Sequence, residues 1–173
     1  MTPWLVASLV AVLLFWIVGA YNRVVRLRTA LVAAFQPVEA RHRERQELLE
    51  RQLALVGEAI VAAAPRVEAL RAAMRQAESA RDHARRRPGA TGATTSLRLA
   101  DEILADARAR LPVQSLATPE LPAVNARLAE IDLALAAARR DFNEAVAAHN
   151  RAVLQFPTWL VATLFGFRTA GAF

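Results

Sequence analysis

Glu39 and His42 stand at Glu-x-x-His spacing, which presents a carboxylate and an imidazole to one metal from a single helix in di-iron bundles. Such a centre needs a second copy and two more glutamates on facing helices. None is visible: Glu144 is at the wrong spacing from His149, and His83 falls near a predicted helix end. The three histidines are therefore expected as ordinary surface residues. The chain contains no cysteine, which excludes disulfides and thiolate metal sites. Gly89 to Ser96 is rich in Gly, Ala and Thr but has no lysine, so it lacks the charge that a phosphate-cradling loop supplies. No Ser/His/Asp set or pair of catalytic carboxylates stands out. The residues predict no enzyme, no cofactor, no metal and no small-molecule substrate.

More informative are three amides, Asn22, Asn143 and Asn150. Asn143 and Asn150 are seven residues apart, hence on one side of a helix, where buried or half-buried amides fix the register of a bundle. The formal charge is +6, and all 22 basic residues are arginine. A nucleic-acid binder would segregate this charge on one face. Here Arg alternates with Glu and Asp, and only Arg85, Arg86 and Arg87 form a run. Nucleic acid is thus the weaker expectation. The interval from Arg41 to Glu47, RHRERQE, is charged nearly all round and reads as a solvated surface laced by local ion pairs.

The elements that would position these residues are helices. Hydrophobic residues make up 55% of the chain but aromatics only 6%, so Ala, Leu and Val, two of them strong helix formers, supply the apolar mass. Trp4 to Ala20 has Ser8 as its one polar side chain and at 1.5 Å per residue spans roughly 27 Å, close to the apolar thickness of a bilayer. Leu5, Val10, Leu13, Leu14, Phe15, Ile17 and Val18 fill this span, with Trp4 and Tyr21 at its ends and Trp16 deeper than an aromatic belt would place it. Residues 4–21 are read as a retained anchor. Val18-Gly19-Ala20 would also suit signal cleavage, but there is no basic leader and the apolar pattern runs on. Arg23, Arg26 and Arg28 follow directly, which predicts the N-terminus outside and the domain cytoplasmic.

Beyond the anchor the spacing predicts a rod to about Ala63, with Val24, Leu27, Leu31, Ala34, Val38, Leu48, Leu55 and Ile60 on its apolar face and a kink near Pro37. A second helix is expected from Pro65 to about Arg87, then a mobile connection from Arg85 to Thr95, then a short helix over 97–110 capped by Ser96. A long final helix is expected from Thr118 or Pro119 to Phe156, with Leu128, Ile131, Leu135, Phe142, Val146, Val153 and Phe156 facing inward. The fold class is all-α: a transmembrane helix continuing into an antiparallel up-down four-helix bundle of two long and two shorter helices. Residues 22–167 form the domain and 168–173 a tail. The stretch from Phe156 to Phe173 would lie beside the bilayer, with Leu160, Leu164, Phe165 and Phe167 either dipping into its interface or capping the core.

Two stretches carry a family resemblance. Tyr21-Asn22 with Val25, Leu27-Arg28, Ala34-Phe35 and Val38-Glu39, and the closing AARRDFNEAVAAHNRAVLQFPTWLVATLFGF with Asn143, Asn150, Phe156-Pro157 and Phe165-Gly166-Phe167, resemble the LemA family of membrane-anchored bacterial helical proteins. The likeness covers about half the chain. The sequence departs from the family where an Asp-Leu-Ile-Pro-Asn-Leu-Val pattern would follow the basic run, and two closing tyrosines stand as Phe142 and His149. The resemblance implies an anchor, a bundle and no established enzymatic activity. The functional expectation is a non-catalytic scaffold or interaction module that meets the lipid bilayer and either an unidentified protein partner or itself. The alternative is a basic binder of nucleic acid or of an anionic lipid surface.

Overall fold

A computed structural model of the chain describes residues 2–57, 64–111 and 119–173. Among these residues every regular element is a helix. The first, α1 (Thr2–Gly57), runs unbroken for 56 residues. Its one internal proline, Pro37, and Ala33 one turn earlier are both exposed, so the carbonyl deprived of an N–H partner meets water and the helix persists. The most apolar part of α1 has a mean hydropathy of 2.2 and is only 6% buried. It is therefore long and apolar enough to cross a membrane, and the protein itself leaves it uncovered.

After α1 come α2 (Ala64–Arg86), α3 (Thr91–Ala109), α4 (Leu121–Leu154) and the short α5 (Thr158–Leu164). The long α1 packs along α4, and α2 along α3, with α5 touching both long helices. Three apolar clusters follow one another along α1. Val24 meets Val153 and Ala162. Leu31, Phe35 and Val38 meet Phe142, Ala138 and Leu135, with Ala84 and Leu97 closing the cluster. Leu49 and Leu53 meet Leu128 and Val124, together with Leu70, Met74 and Leu104. Numbers rise along α1 as they fall along α4, so these two helices run in opposite directions. The inward stripe expected of the final helix is buried from Leu128 to Val153.

Several boundaries differ from expectation. The helix expected from Leu97 begins at Thr91, and Ser96 lies inside it instead of capping it. Burial decides this: Ala93 and Thr94 are in the core, and the Thr94 hydroxyl donates to the carbonyls of Ala90 and Thr91, which outweighs the poor helix propensity of Gly and Thr. The expected mobile connection shrinks to a turn around Pro88 and Gly89 that packs on Leu31. Gly89 takes a positive φ of 80° there, where a side chain would be strained. Helix α4 starts at Leu121 with Pro122 in its first turn, where a missing N–H costs little, and stops at Leu154. Phe156 therefore falls outside the helix and is 73% exposed. Ile60 and Thr118 lie outside the described residues.

Candidate functional site at the apolar-helix end of the domain

Where the apolar part of α1 meets the domain, α5 folds back against it. Tyr21 is the junction: its ring lies 4.9 Å from that of Phe165 and 5.8 Å from that of Phe167, centroid to centroid, distances at which tilted aromatic pairs attract. Gly166, at φ 71°, makes the turn between the two phenylalanines. Val161 and Ala162 of α5 are buried, whereas Leu160, Leu164 and Phe165 are exposed. Capping of the core, one of the two arrangements considered for the segment, is thus seen. One face caps the core, and the other presents apolar side chains, joined by exposed Leu154, Phe156 and Trp159. Of the residues assigned to the anchor, Trp4, Leu5, Val10, Leu13, Leu14, Phe15, Trp16 and Val18 are exposed and Ile17 half-buried. Asn22, Arg23, Arg26 and Arg28 are exposed beside the junction.

Residues 168–173 do not form a separate tail. They run along α4, held by its amides. Asn150 donates to the carbonyl of Ala170 at 2.8 Å and accepts from its N–H at 2.7 Å. Asn143 accepts from the N–H of Phe173 at 2.8 Å and donates weakly to its carbonyl at 3.4 Å. Seven residues of helix rise about 10.5 Å, and three residues of extended chain span about 10 Å, so the two amides meet backbone groups three residues apart. Both asparagines are half-buried; what they register is this segment instead of a neighbouring helix. The Nε2 of His149 lies 3.1 Å from the carbonyl of Arg168, which can only accept, so Nε2 carries the hydrogen. The N–H of Gly171 donates to the carbonyl of Gly89 at 2.8 Å. Phe173 ends against Phe35 and Phe142, with the Arg139 guanidinium 5.1 Å from its ring centre.

Farther up the domain, the charged interval of α1 is in part the solvated surface it was read as, with Arg43 and Glu47 exposed and Arg41 paired to Glu44 at 2.7 Å, but His42 and Arg45 turn toward the other helices. His42 is buried, and so is His149; of the three histidines His83 alone is exposed. Asp101 of α3, 7% exposed, accepts hydrogen bonds from Arg45 of α1 and Arg139 of α4. Arg45 also donates to Nδ1 of His42 at 3.1 Å, which leaves the hydrogen on Nε2, 3.5 Å from Asp101 and without a hydrogen-bond partner. Burial, then the charges of Arg45, Arg139 and Arg81, push the His42 pKa well below its ordinary range. Burial likewise lowers that of Arg139, which the Asp101 carboxylate opposes. Glu39 is engaged instead by Arg43 at 3.2 Å and Arg85 at 3.7 Å, so the Glu-x-x-His pair does not converge on one point. A second polar link, Gln52 to Asn125 at 2.6 Å, joins α1 to α4 higher still.

The amide pair, which holds 168–173, and the Phe-Gly-Phe turn, which meets Tyr21, both belong to the closing pattern. A model of the LemA family matches residues 34–173. The chain belongs to the LemA family. The match extends the resemblance through α2 and α3 and the charged interval where the LemA pattern seemed interrupted, but it begins at Ala34, so Tyr21-Asn22, Val25 and Leu27-Arg28 of the opening pattern lie outside it. It also reaches Phe173, in keeping with the packing of 168–173 into this LemA domain. No curated protein and no solved structure matches the chain.

Proposed function

We propose that the chain is a membrane-anchored, non-catalytic scaffold. In this reading residues 4–21 cross the bilayer, and an up-down four-helix bundle of two long helices, α1 and α4, and two shorter ones, α2 and α3, lies at the cytoplasmic face. There it offers its surface to a protein partner or to a second copy. The observation that carries this is the continuity of α1 from Thr2 to Gly57: the uncovered apolar part and the core-forming part are one helix, so a domain attached this way is held in a fixed pose. A nucleic-acid binder is less well supported, because arginines of the helices are engaged locally, as in Arg41–Glu44 at 2.7 Å, Arg98–Glu102 at 2.9 Å and Arg127–Glu130 at 2.7 Å.

The absence of cysteine makes the arrangement directly testable. Single cysteines are placed at Thr2 and at exposed Ser79 and challenged with a membrane-impermeant maleimide in spheroplasts. The expected result is labelling of Thr2→Cys in intact spheroplasts and of Ser79→Cys only after lysis. The reverse pattern overturns the orientation, and labelling of both before and after lysis overturns the anchor. Crosslinking in the native membrane then reads the scaffold role, which fails if the chain is recovered only as an unattached monomer.

A further inference from the structure

An open cleft of about 740 Å³ lies between the end of α2, the start of α3 and the C-terminal segment. Four arginines from three places in the fold line it: Arg28 of α1, Arg86 and Arg87 at the end of α2, and Arg168 just before the amide-held segment. All four are exposed, and none joins an ion pair among the described residues. No carboxylate is among the described residues that line the cleft. Buried His149 lines it too, with Nδ1 lacking any hydrogen-bond partner. Many other arginines of the domain are matched to carboxylates, although Arg66, Arg75, Arg140 and Arg151 also join no ion pair among the described residues. Here like charges gather around one concavity, which raises the local potential for an anion.

The cleft also sits at a particular height. Arg168 follows Phe167, whose ring touches Tyr21. Arg28 is seven residues beyond Tyr21, roughly 10 Å along the helix axis. A headgroup layer is about 5–8 Å thick on each side of the apolar slab, and a flexible arginine stem lets the charged head reach down the remainder. The geometry points to a binding site for the phosphate of an anionic phospholipid headgroup, drawn from the leaflet on the domain's side of the membrane. This rests on the anchored reading. Guanidinium forks suit phosphate oxygens in bidentate geometry. A free phosphate shares that chemistry, but Val32 and Phe167 in the cleft lining, the latter against Tyr21, offer the acyl chains of a lipid an apolar surface on the side of the apolar helix.

Full-length protein in neutral-detergent micelles is given short-chain phosphatidylglycerol, phosphatidylcholine of the same chain length, or inorganic phosphate, and retention is read by native mass spectrometry. Phosphatidylglycerol is expected to be held about tenfold or more above phosphatidylcholine, and equal phosphate is expected not to displace it. The pair Arg28→Gln and Arg168→Gln should lower that retention by about tenfold or more, at roughly fivefold per surface arginine. Arg66→Gln with Arg75→Gln removes the same charge from exposed positions outside the cleft and should leave retention unchanged. Equal retention of the two lipids, displacement by phosphate, or equal loss from both variant pairs overturns the site. Cell fractionation reports separately on the anchor: a chain found in the soluble fraction sinks the anchored reading without altering the lipid preference read in micelles.

Discussion

Asp101 sets one carboxylate against two guanidinium groups from different helices, and the neutral imidazole of His42 fills the space beside them. Taking a charge out of water is costly unless it is paired and hydrogen-bonded, and this arrangement leaves the cluster no room for another positive charge. His42 therefore stays neutral in the folded state to a lower pH than in the unfolded chain. In the unfolded chain it takes up a proton near the ordinary histidine value of 6.5, so below that pH the unfolded state binds more protons and stability falls as pH falls. The loss continues down to the lowered folded pKa, at up to about 1.4 kcal/mol per pH unit. Chemical unfolding between pH 7.5 and 5 should show this slope, and His42→Gln should flatten it. An unchanged slope in the variant would assign the effect to other groups. Nothing in the spacing of Arg45, Asp101 and Arg139 announces the cluster, because the residues are far apart in sequence and each sits in a stretch that alternates charges like any solvated face.

Among the elements, the last six residues gain most from the structure. They have no periodicity, and their order comes from what they touch. A Cβ at Gly171 would lie 2.6 Å from Cα of Thr91 and 2.8 Å from Oγ1 of Thr94, so the segment approaches α3 as closely as a backbone without side chain allows. Gly171→Ala is expected to cost about 1–3 kcal/mol, the usual penalty of overpacking, whereas Ala172→Ser, at an exposed position, should be close to neutral. Thermal unfolding of the two variants checks this; a silent Gly171→Ala would mean that the segment does not rest on α3. The helices themselves were legible, since α1, α2 and α4 have apolar residues at helical spacing over many turns. Asn143 and Asn150 were legible as structural amides, but their partner was not: an amide mimics a peptide group equally well for a helix or for an extended strand. The start of α3 was obscured by Gly92 and the threonines, whose local preference gives way to core contacts at Ala93 and Thr94.

For the whole molecule, the division of labour along α1 makes a simple prediction. Its apolar part contributes almost nothing to the domain's core, being 6% buried, while Tyr21 and Val24 are where contacts with α5 and α4 begin. A fragment lacking residues 1–20 should therefore keep its helicity and a cooperative melt, and should leave the membrane fraction at high salt, where screening weakens arginine–lipid attraction. Sedimentation with vesicles at low and high salt distinguishes the possibilities. Pelleting that persists at high salt would show that the exposed apolar side chains of α5 insert on their own. Hydropathy marked the apolar span from the start, but it could not show that α5 comes back to the end of that span, because that depends on how α1 and α4 pair.

The absence of any break between the apolar part of α1 and its core-facing part has a rotational meaning as well. Successive residues of a helix are turned by about 100° and raised by 1.5 Å, so every side chain of the domain keeps a set compass bearing relative to Trp4 and Trp16. Under the proposed anchoring, adding or removing one residue between Tyr21 and Val24 would swing the whole surface by about a quarter turn in the membrane plane while hardly changing its height. A partner anchored in the same bilayer would then face a different side of the molecule. A chain built in this way specifies its azimuth as well as its attachment.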